Sequence, residues 1–196
     1  AYFLGGPLYN GSVRFDDEIL LADSLFFRTM GIEVLSGNPE DELVQPDVIF
    51  LSDRLAQKIF GGENPIGKVL SYNKEITFTV KGTYAALPEN TTMRPEGVVS
   101  MPTAWSRSWG NYSWRGGDSY YEYIRFRPGA DKEVVNARLD AMIQKYRPEE
   151  DKKAYGYTAF VKPIRDVYRN EDQVKRMDTI MSILALAILF IAALNY

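Results

Sequence analysis

Residues 62–68 (GENPIGK) match the first seven positions of a phosphate-binding P-loop. The eighth position should be Ser or Thr, whose hydroxyl binds magnesium, but here it is Val69. A P-loop also joins a strand to a following helix, so that phosphate meets the helix N-terminus. This segment follows a predicted helix and precedes a predicted strand, and Pro65 removes one backbone N–H. We interpret it as a helix stop followed by a tight turn.

Three acidic clusters, at residues 16–18, 40–42 and 149–151, are the next candidates for chemistry. Calcium loops need spaced carboxylates with a distant Glu, and none of the clusters has that spacing. Paired-carboxylate hydrolysis needs two acids that face each other, which spacing alone does not establish. We therefore interpret these clusters as solvated loop charges.

The chain contains no His and no Cys, which excludes Ser–His and Cys–His nucleophiles, thiol chemistry and His-ligated zinc within this chain. Its net charge of −3 gives no electrostatic case for nucleic acid. The sequence therefore predicts no catalytic, cofactor-binding or metal-binding residue, and no enzymatic activity.

An aromatic stretch in the middle of the chain is a possible surface for a partner or ligand. Its rings lie among Gly, Asn, Ser and Arg, a composition that suits sugar stacking or a protein partner. The same rings would also suit the core of a small lobe with few aliphatic residues, and both interpretations remain open. The rings are Trp105, Trp109, Tyr112 and Trp114.

Strands and helices alternate irregularly along the soluble part, which predicts an α+β domain with mixed sheets. An unbroken apolar run predicts a buried strand over 48–51, and Ser52 then opens a helix that ends at the glycines 61–62. Alternation of apolar residues predicts a strand over 76–82. Further predictions are strands over 121–127 and 158–162, and between them a helix capped by Asp131 with Val134, Val135, Leu139, Met142, Ile143 and Tyr146 on its inner face.

From residue 180 the chain is apolar on every side and carries no charge. Spanning a bilayer core takes about 20 such residues, so we predict the start of a transmembrane helix; a buried core helix is the alternative. The residues of this onset are Ile180, Ile183, Leu184, Leu186, Ile188, Leu189, Phe190 and Ile191.

The segment just before the apolar run lacks Gly and Pro and is predicted to continue the helix outward as a coupling segment, Val174, Lys175, Arg176 and Met177. Prolines at positions 174 and 175 should uncouple such a lever. Lys175 and Arg176 are unexpected in this topology, which places them outside the cytoplasm, because positive charge usually lies on the cytoplasmic side of a span. That bias weakens next to long translocated domains.

Several segments, in this order, resemble the MacB-type extracytoplasmic core domain of FtsX-like ABC transporter permeases. They are ADSLFFRTMGIEVLSGNPED, VIFLSDRLAQKIFGGENPIGKVL, FTVKGTYAALPENTTM, YYEYIRFRPGADKEVVNARLDAMIQKY and VKPIRDVY, with ALAILFIAALNY resembling the start of the second membrane helix. The resemblance implies a porter-like α/β lobe over residues 1–104 and 154–179, expected to lack its first strand–helix unit. It also implies an inserted sabre-like lobe over 105–153, and a transmembrane helix that begins at 180–196.

The resemblance further implies a non-catalytic domain on the periplasmic side of a bacterial inner membrane. It would couple ATP hydrolysis by a separate cytoplasmic ABC ATPase to conformational change outside the membrane, in transport or mechanotransmission. The implied partners are that ATPase, a second permease copy or homologue, and a periplasmic protein. The alternative function is a membrane-anchored module that holds a glycan or lipid through its aromatic lobe.

Overall fold

The computed structural model describes residues 1–91, 93–109, 120–147, 149–150, 158–169 and 172–194. The chain divides into two compact units, Ala1–Pro128 and Gly129–Tyr196. The mixture of sheet and helices confirms the predicted α+β class.

The first unit is built on one mixed sheet. Its strands are β1 (Tyr2–Leu4), β2 (Leu8–Asn10), β3 (Val13–Phe15), β4 (Ile19–Ala22), β5 (Val34–Ser36), β6 (Val48–Ser52), β7 (Val69–Tyr72), β8 (Ile76–Tyr84) and β9 (Gly97–Ser100). They run in spatial order β1-β4-β9-β6-β8-β7-β2-β3, and β5 pairs with β8 beside that path. Two pairs, β4 with β9 and β6 with β8, are parallel, and the remaining pairs are antiparallel.

Central strands β4, β6 and β9 are buried along their whole length because both faces of the sheet are covered. Successive side chains of a strand point to opposite faces. Accordingly, Ile49 and Leu51 join one core cluster, whereas Val48 and Phe50 join another. The unbroken apolar run at 48–51 is explained by this two-sided burial.

The described residues of the first unit form four short helices: α1 (Phe26–Met30), α2 (Pro39–Glu42), α3 (Asp53–Phe60) and α4 (Met101–Ser106). Helix α3 begins as predicted, because the Ser52 hydroxyl accepts a hydrogen bond from the Leu55 N–H at 2.9 Å. It ends at Gly61, also as predicted. Residues of α3 and α4 pack in the core cluster that contains Ile49, and those of α1 pack in the other cluster.

Strand β8 is longer than predicted. The alternation over residues 76–82 is confirmed, but the strand continues past Gly82 to Tyr84. Opposite β6 the register shifts by one residue, so that Phe50 faces Gly82 and Lys81 is the extra residue of a bulge. A Cβ on Gly82 would lie 2.0 Å from Cε1 of Phe50, so this glycine permits close packing within the strand and does not end it.

The second unit contains helices α5 (Lys132–Tyr146), α6 (Ile164–Arg169) and α7 (Asp172–Leu194). The predicted cap of α5 is confirmed, since the Asp131 carboxylate accepts a hydrogen bond from the Glu133 N–H at 2.8 Å. The predicted inner face is half wrong. Its members divide into half-buried Val135, Leu139 and Ile143 and exposed Val134, Met142 and Tyr146.

The strands predicted over 121–127 and 158–162 are not formed among the described residues. In the first unit, Tyr121 exchanges two hydrogen bonds with Ala1, at 2.6 and 2.8 Å, but no ladder follows from that pair. In the second unit, the Val161 N–H donates to the side-chain oxygen of Asn136 at 2.8 Å. Apolar alternation alone does not make a strand, and neither segment has a partner strand among the described residues.

Candidate functional site

Helix α7 is the longest helix among the described residues. It runs for 23 residues without interruption, about 34 Å at the usual helical rise. Its part Val174–Leu194 is long and apolar enough to cross a membrane, and none of that stretch is buried among the described residues. The core-helix alternative requires burial, so the described structure argues against it.

All eight residues predicted for the membrane onset lie on α7, and each is more than half exposed. They occupy every side of the helix, so no polar stripe would face water. Such a surface is stable in lipid and costly in water.

The predicted coupling segment, residues 174–177, lies within the first two turns of the same helix. Below it, the Thr179 hydroxyl donates to the Lys175 carbonyl at 2.8 Å, and the Ser182 hydroxyl donates to the Asp178 carbonyl at 2.7 Å. These bonds satisfy both hydroxyls inside the helix, so neither needs water where the apolar run begins.

Of the four aromatic residues predicted as a partner or ligand surface, two lie among the described residues. Trp105, on α4, is 56% exposed. Trp109 packs against the core beside Tyr72, with ring centroids 6.2 Å apart. Tyr112 and Trp114 lie outside the described residues.

An ion pair that sequence reasoning missed holds the chain next to Trp109. Arg107 contacts both carboxylate oxygens of Asp47, at 2.6 and 2.8 Å, and its guanidinium lies 5.8 Å from the Trp109 ring. The Asp47 N–H donates to the Thr103 hydroxyl at 2.8 Å. Asp47 has a left-handed backbone with φ of 60°, which Asp tolerates better than most residues. Sixty residues separate the two charges, and no local pattern indicates such a pairing.

A second cluster that sequence reasoning missed joins the start of α3 to the segment that precedes strand β9. Glu96 accepts hydrogen bonds from the Ser52 hydroxyl and the Arg54 guanidinium. The Ser52 hydroxyl thus donates to a carboxylate that is already paired with a cation, so the arrangement does not activate a nucleophile. Nearby, Tyr84 donates to the Pro95 carbonyl at 2.6 Å, and burial raises the pKa of its phenol well above the usual value.

The P-loop-like segment lies between α3 and β7, as its sequence context predicted. Gly67 donates its N–H to the Val80 carbonyl at 2.8 Å, so this group is engaged in the fold. Lys68 pairs with Glu63, and this hydrogen bond lowers the pKa of the Glu63 carboxyl. The lysine also lies 4.8 Å from the Phe60 ring. The contacts of Lys68 are thus with residues of this chain, and its side chain lies at the edge of an open pocket of about 470 Å³.

Within the described residues, carboxylates do not gather into a group that would hold a metal ion. In the acidic turn at 16–18, Asp16 pairs with Arg14 and Asp17 pairs with Lys58. These two carboxylates therefore have basic partners in the fold.

The chain thus has a mixed α/β unit and, in its second unit, an exposed helix that is long and apolar enough to cross a membrane. The model of the MacB-like periplasmic core domain family matches residues 4–142. The chain belongs to this family, and is a periplasmic domain of a MacB/FtsX-like ABC transporter permease. No curated protein matches the chain.

Two solved structures share the fold. One is a domain of a protein described as a permease from Porphyromonas gingivalis, with 21% identity, a TM-score of 0.65, and coverage of 87% of this chain and 81% of that chain. The other is the periplasmic region of MacB from Actinobacillus actinomycetemcomitans, with 19% identity, a TM-score of 0.58, and coverage of 86% and 73%.

Proposed function

We propose that this domain couples ATP hydrolysis by a separate cytoplasmic ATPase to conformational change on the periplasmic side of a bacterial inner membrane. The output is transport of a substrate or mechanotransmission to a periplasmic partner. The observation that carries the proposal is the unbroken helix α7, which leads from polar residues at Asp172 into a wholly apolar surface.

Mechanical coupling needs an element that does not bend between the membrane and the domain. Helices kink sharply at Pro, at Gly/Ser pairs, at π-bulges or where a side chain enters the hydrogen-bond ladder. Helix α7 contains no Pro and no Gly from Asp172 to Leu194, and its backbone is α-helical throughout. Rigid displacement of a domain about an interface is a known mode of switching.

The domain itself is proposed to be non-catalytic, since the chain lacks His and Cys. Its proposed partners are the cytoplasmic ABC ATPase through the rest of the permease, a second permease copy or homologue, and a periplasmic protein. The predicted porter-like and sabre-like lobes, over 1–104 with 154–179 and over 105–153, remain part of this proposal.

The alternative, a glycan-binding or lipid-binding aromatic lobe, has less support. Trp109 packs against Tyr72 in the core cluster, which leaves Trp105 as the exposed member of the predicted surface among the described residues. One exposed indole is common on protein surfaces and does not define a sugar platform.

The site for a proline test follows from where α7 begins. Positions 174 and 175 lie near the described start of α7, where proline disrupts a helix less than it does farther along. The sharper variant is Met177→Pro/Asp178→Pro, because both N–H groups there belong to the helical ladder. Each interior proline costs about 3 kcal/mol or more of helix stability.

In the complete permease with its ATPase, the proline pair should abolish transport or partner activation while ATP hydrolysis continues. The matched control is Met177→Ala/Asp178→Ala, which removes the same side chains and keeps the helix. It should retain coupling. Unchanged coupling in the proline variant would refute the lever.

A further inference from the structure

Lys175 and Arg176 are the two cations nearest to the apolar surface of α7. The last charged residue before that surface is Asp178, and the uncharged run begins at Thr179. Neither Lys175 nor Arg176 takes part in an ion pair within the described structure, and both are exposed. Among the described residues, therefore, no carboxylate competes with an external anion for these two side chains.

Their height above the bilayer follows from helix geometry. Arg176 lies four residues and Lys175 five residues before Ile180, which is about 6 and 7.5 Å along an upright helix. The polar headgroup layer of one leaflet is about 5–8 Å thick outside the hydrocarbon core. When Ile180 lies at the hydrocarbon boundary, both cations lie at the level of the lipid phosphates.

The hydroxyls below them support this placement of the boundary. Thr179 and Ser182 direct their hydroxyls to carbonyls of the preceding turn, which removes two polar groups from the surface at this depth. The helix surface is therefore polar down to Asp178 and apolar from the next turn.

Asp178 does not cancel the positive charge all round the helix. At about 100° per residue, Asp178 lies about 60° from Lys175 but about 160° from Arg176. Arg176 therefore projects from the side of α7 opposite Asp178. Asp172 lies about 40° from Arg176 but one turn farther from the apolar run, so the guanidinium can make bidentate contact with a phosphate on the membrane side.

We propose that Lys175 and Arg176 form a binding site for anionic phospholipid headgroups in the periplasmic leaflet. The inference rests on the proposed membrane placement of α7. It explains why positive charge stands on the non-cytoplasmic side of this span. Headgroup contacts there would fix the depth of α7, and so the position of the lever.

The test places a reporter between the cations and the boundary. The chain has no native cysteine, so Met177→Cys in the complete permease, freed of other cysteines, carries a bimane label at an exposed position. The permease is reconstituted in phosphatidylcholine vesicles with small amounts of phosphatidylglycerol or phosphatidylcholine that bear a nitroxide on the fifth acyl carbon. The ratio of quenching by the two lipids reports the local enrichment of anionic lipid.

Phosphatidylglycerol should quench more strongly than phosphatidylcholine, and Lys175→Gln/Arg176→Gln should lower the ratio about fivefold for each effective cation. That factor corresponds to about 1 kcal/mol per basic residue near a charged surface. The exchange Lys175→Arg/Arg176→Lys should keep the ratio. Lys132→Gln/Arg138→Gln on α5, which removes two cations of the same unit, should also keep it.

Equal quenching by both lipids, or a ratio unchanged in the Gln variant, would overturn the headgroup site while leaving α7 in the membrane. Quenching by neither lipid would instead show that residue 177 is far from the bilayer. That result would overturn the membrane placement together with the site that depends on it.

Discussion

Among the glycines that lie in strands, Gly82 should be the one whose replacement by Ala destabilises the first unit most. A Cβ at this position would lie 2.0 Å from Cε1 of Phe50 and 2.4 Å from the backbone oxygen of Ser36. Contacts of this length between carbon and its neighbours do not occur without movement of the neighbours. Relief therefore requires movement of the β5 backbone or of a buried ring.

Neither neighbour moves cheaply. Phe50 is fully buried and its ring centroid lies 5.6 Å from that of Phe27. Ser36 is held to β8 because its hydroxyl accepts a hydrogen bond from the Thr83 N–H at 3.2 Å and shares another with the Thr83 hydroxyl at 2.9 Å. Overpacking of a rigid core costs about 1–3 kcal/mol and sometimes more, so we expect about 3 kcal/mol here.

Thermal unfolding in detergent, followed by tryptophan fluorescence, measures this effect. All three tryptophans of the chain lie in the unit Ala1–Pro128. For a chain of this size, about 3 kcal/mol corresponds to a melting temperature lower by roughly 6–12 °C. The matched control is Gly62→Ala, because a Cβ there meets nothing within 4 Å and φ is not positive. Equal melting temperatures of the two variants would refute the packing argument.

Two further predictions concern single aromatic residues. Tyr84→Phe should cost about 1–3 kcal/mol at pH 8, because the Pro95 carbonyl loses its phenol partner. Burial raises the pKa of Tyr84, so the stability that its neutral phenol contributes is present below the unfolded-state pKa near 10 and is lost as pH rises above it. The free energy of unfolding of the wild type should therefore fall by about 1.4 kcal/mol per pH unit above 10, and that of Tyr84→Phe should not show this fall. Urea unfolding at pH 8 and 11 checks this, and a difference between the proteins that does not shrink with pH would contradict it. Trp109→Ala should lower the free energy of unfolding by about 2–3 kcal/mol and Trp105→Ala by less than about 1 kcal/mol, because the Trp109 ring packs against the core and the Trp105 ring is exposed. Urea titrations compare the two variants, and equal losses would contradict the assignment of Trp109 to packing.

Local patterns were sufficient for the elements that carry their own signals. The run at 48–51 and the capping residue Ser52 located β6 and α3. A strand that is buried on both faces is apolar throughout, and the first N–H groups of a helix need an acceptor such as a serine side chain. The uniform apolar surface of α7 was equally readable. The family resemblance added the expected class, which the family match confirms.

Features that depend on distant partners were not readable. The pairing of β5 with β8, and the ion pair of Arg107 with Asp47, each join residues about fifty or more positions apart. The packing of Trp109 depends on Tyr72, which lies on strand β7, far away in the sequence. The same limit explains the segment 121–127, whose apolar alternation suits a strand but fixes no neighbour for it.

Cysteine accessibility along α7 tests the central claim most directly. Single variants Lys175→Cys and Ile188→Cys in the complete, otherwise cysteine-free permease are exposed to a membrane-impermeant maleimide in cells with a permeabilised outer membrane. The account predicts rapid labelling at position 175 and labelling at position 188 only after detergent denaturation. Equal labelling of the two positions in intact membranes would contradict the placement of α7 in the bilayer.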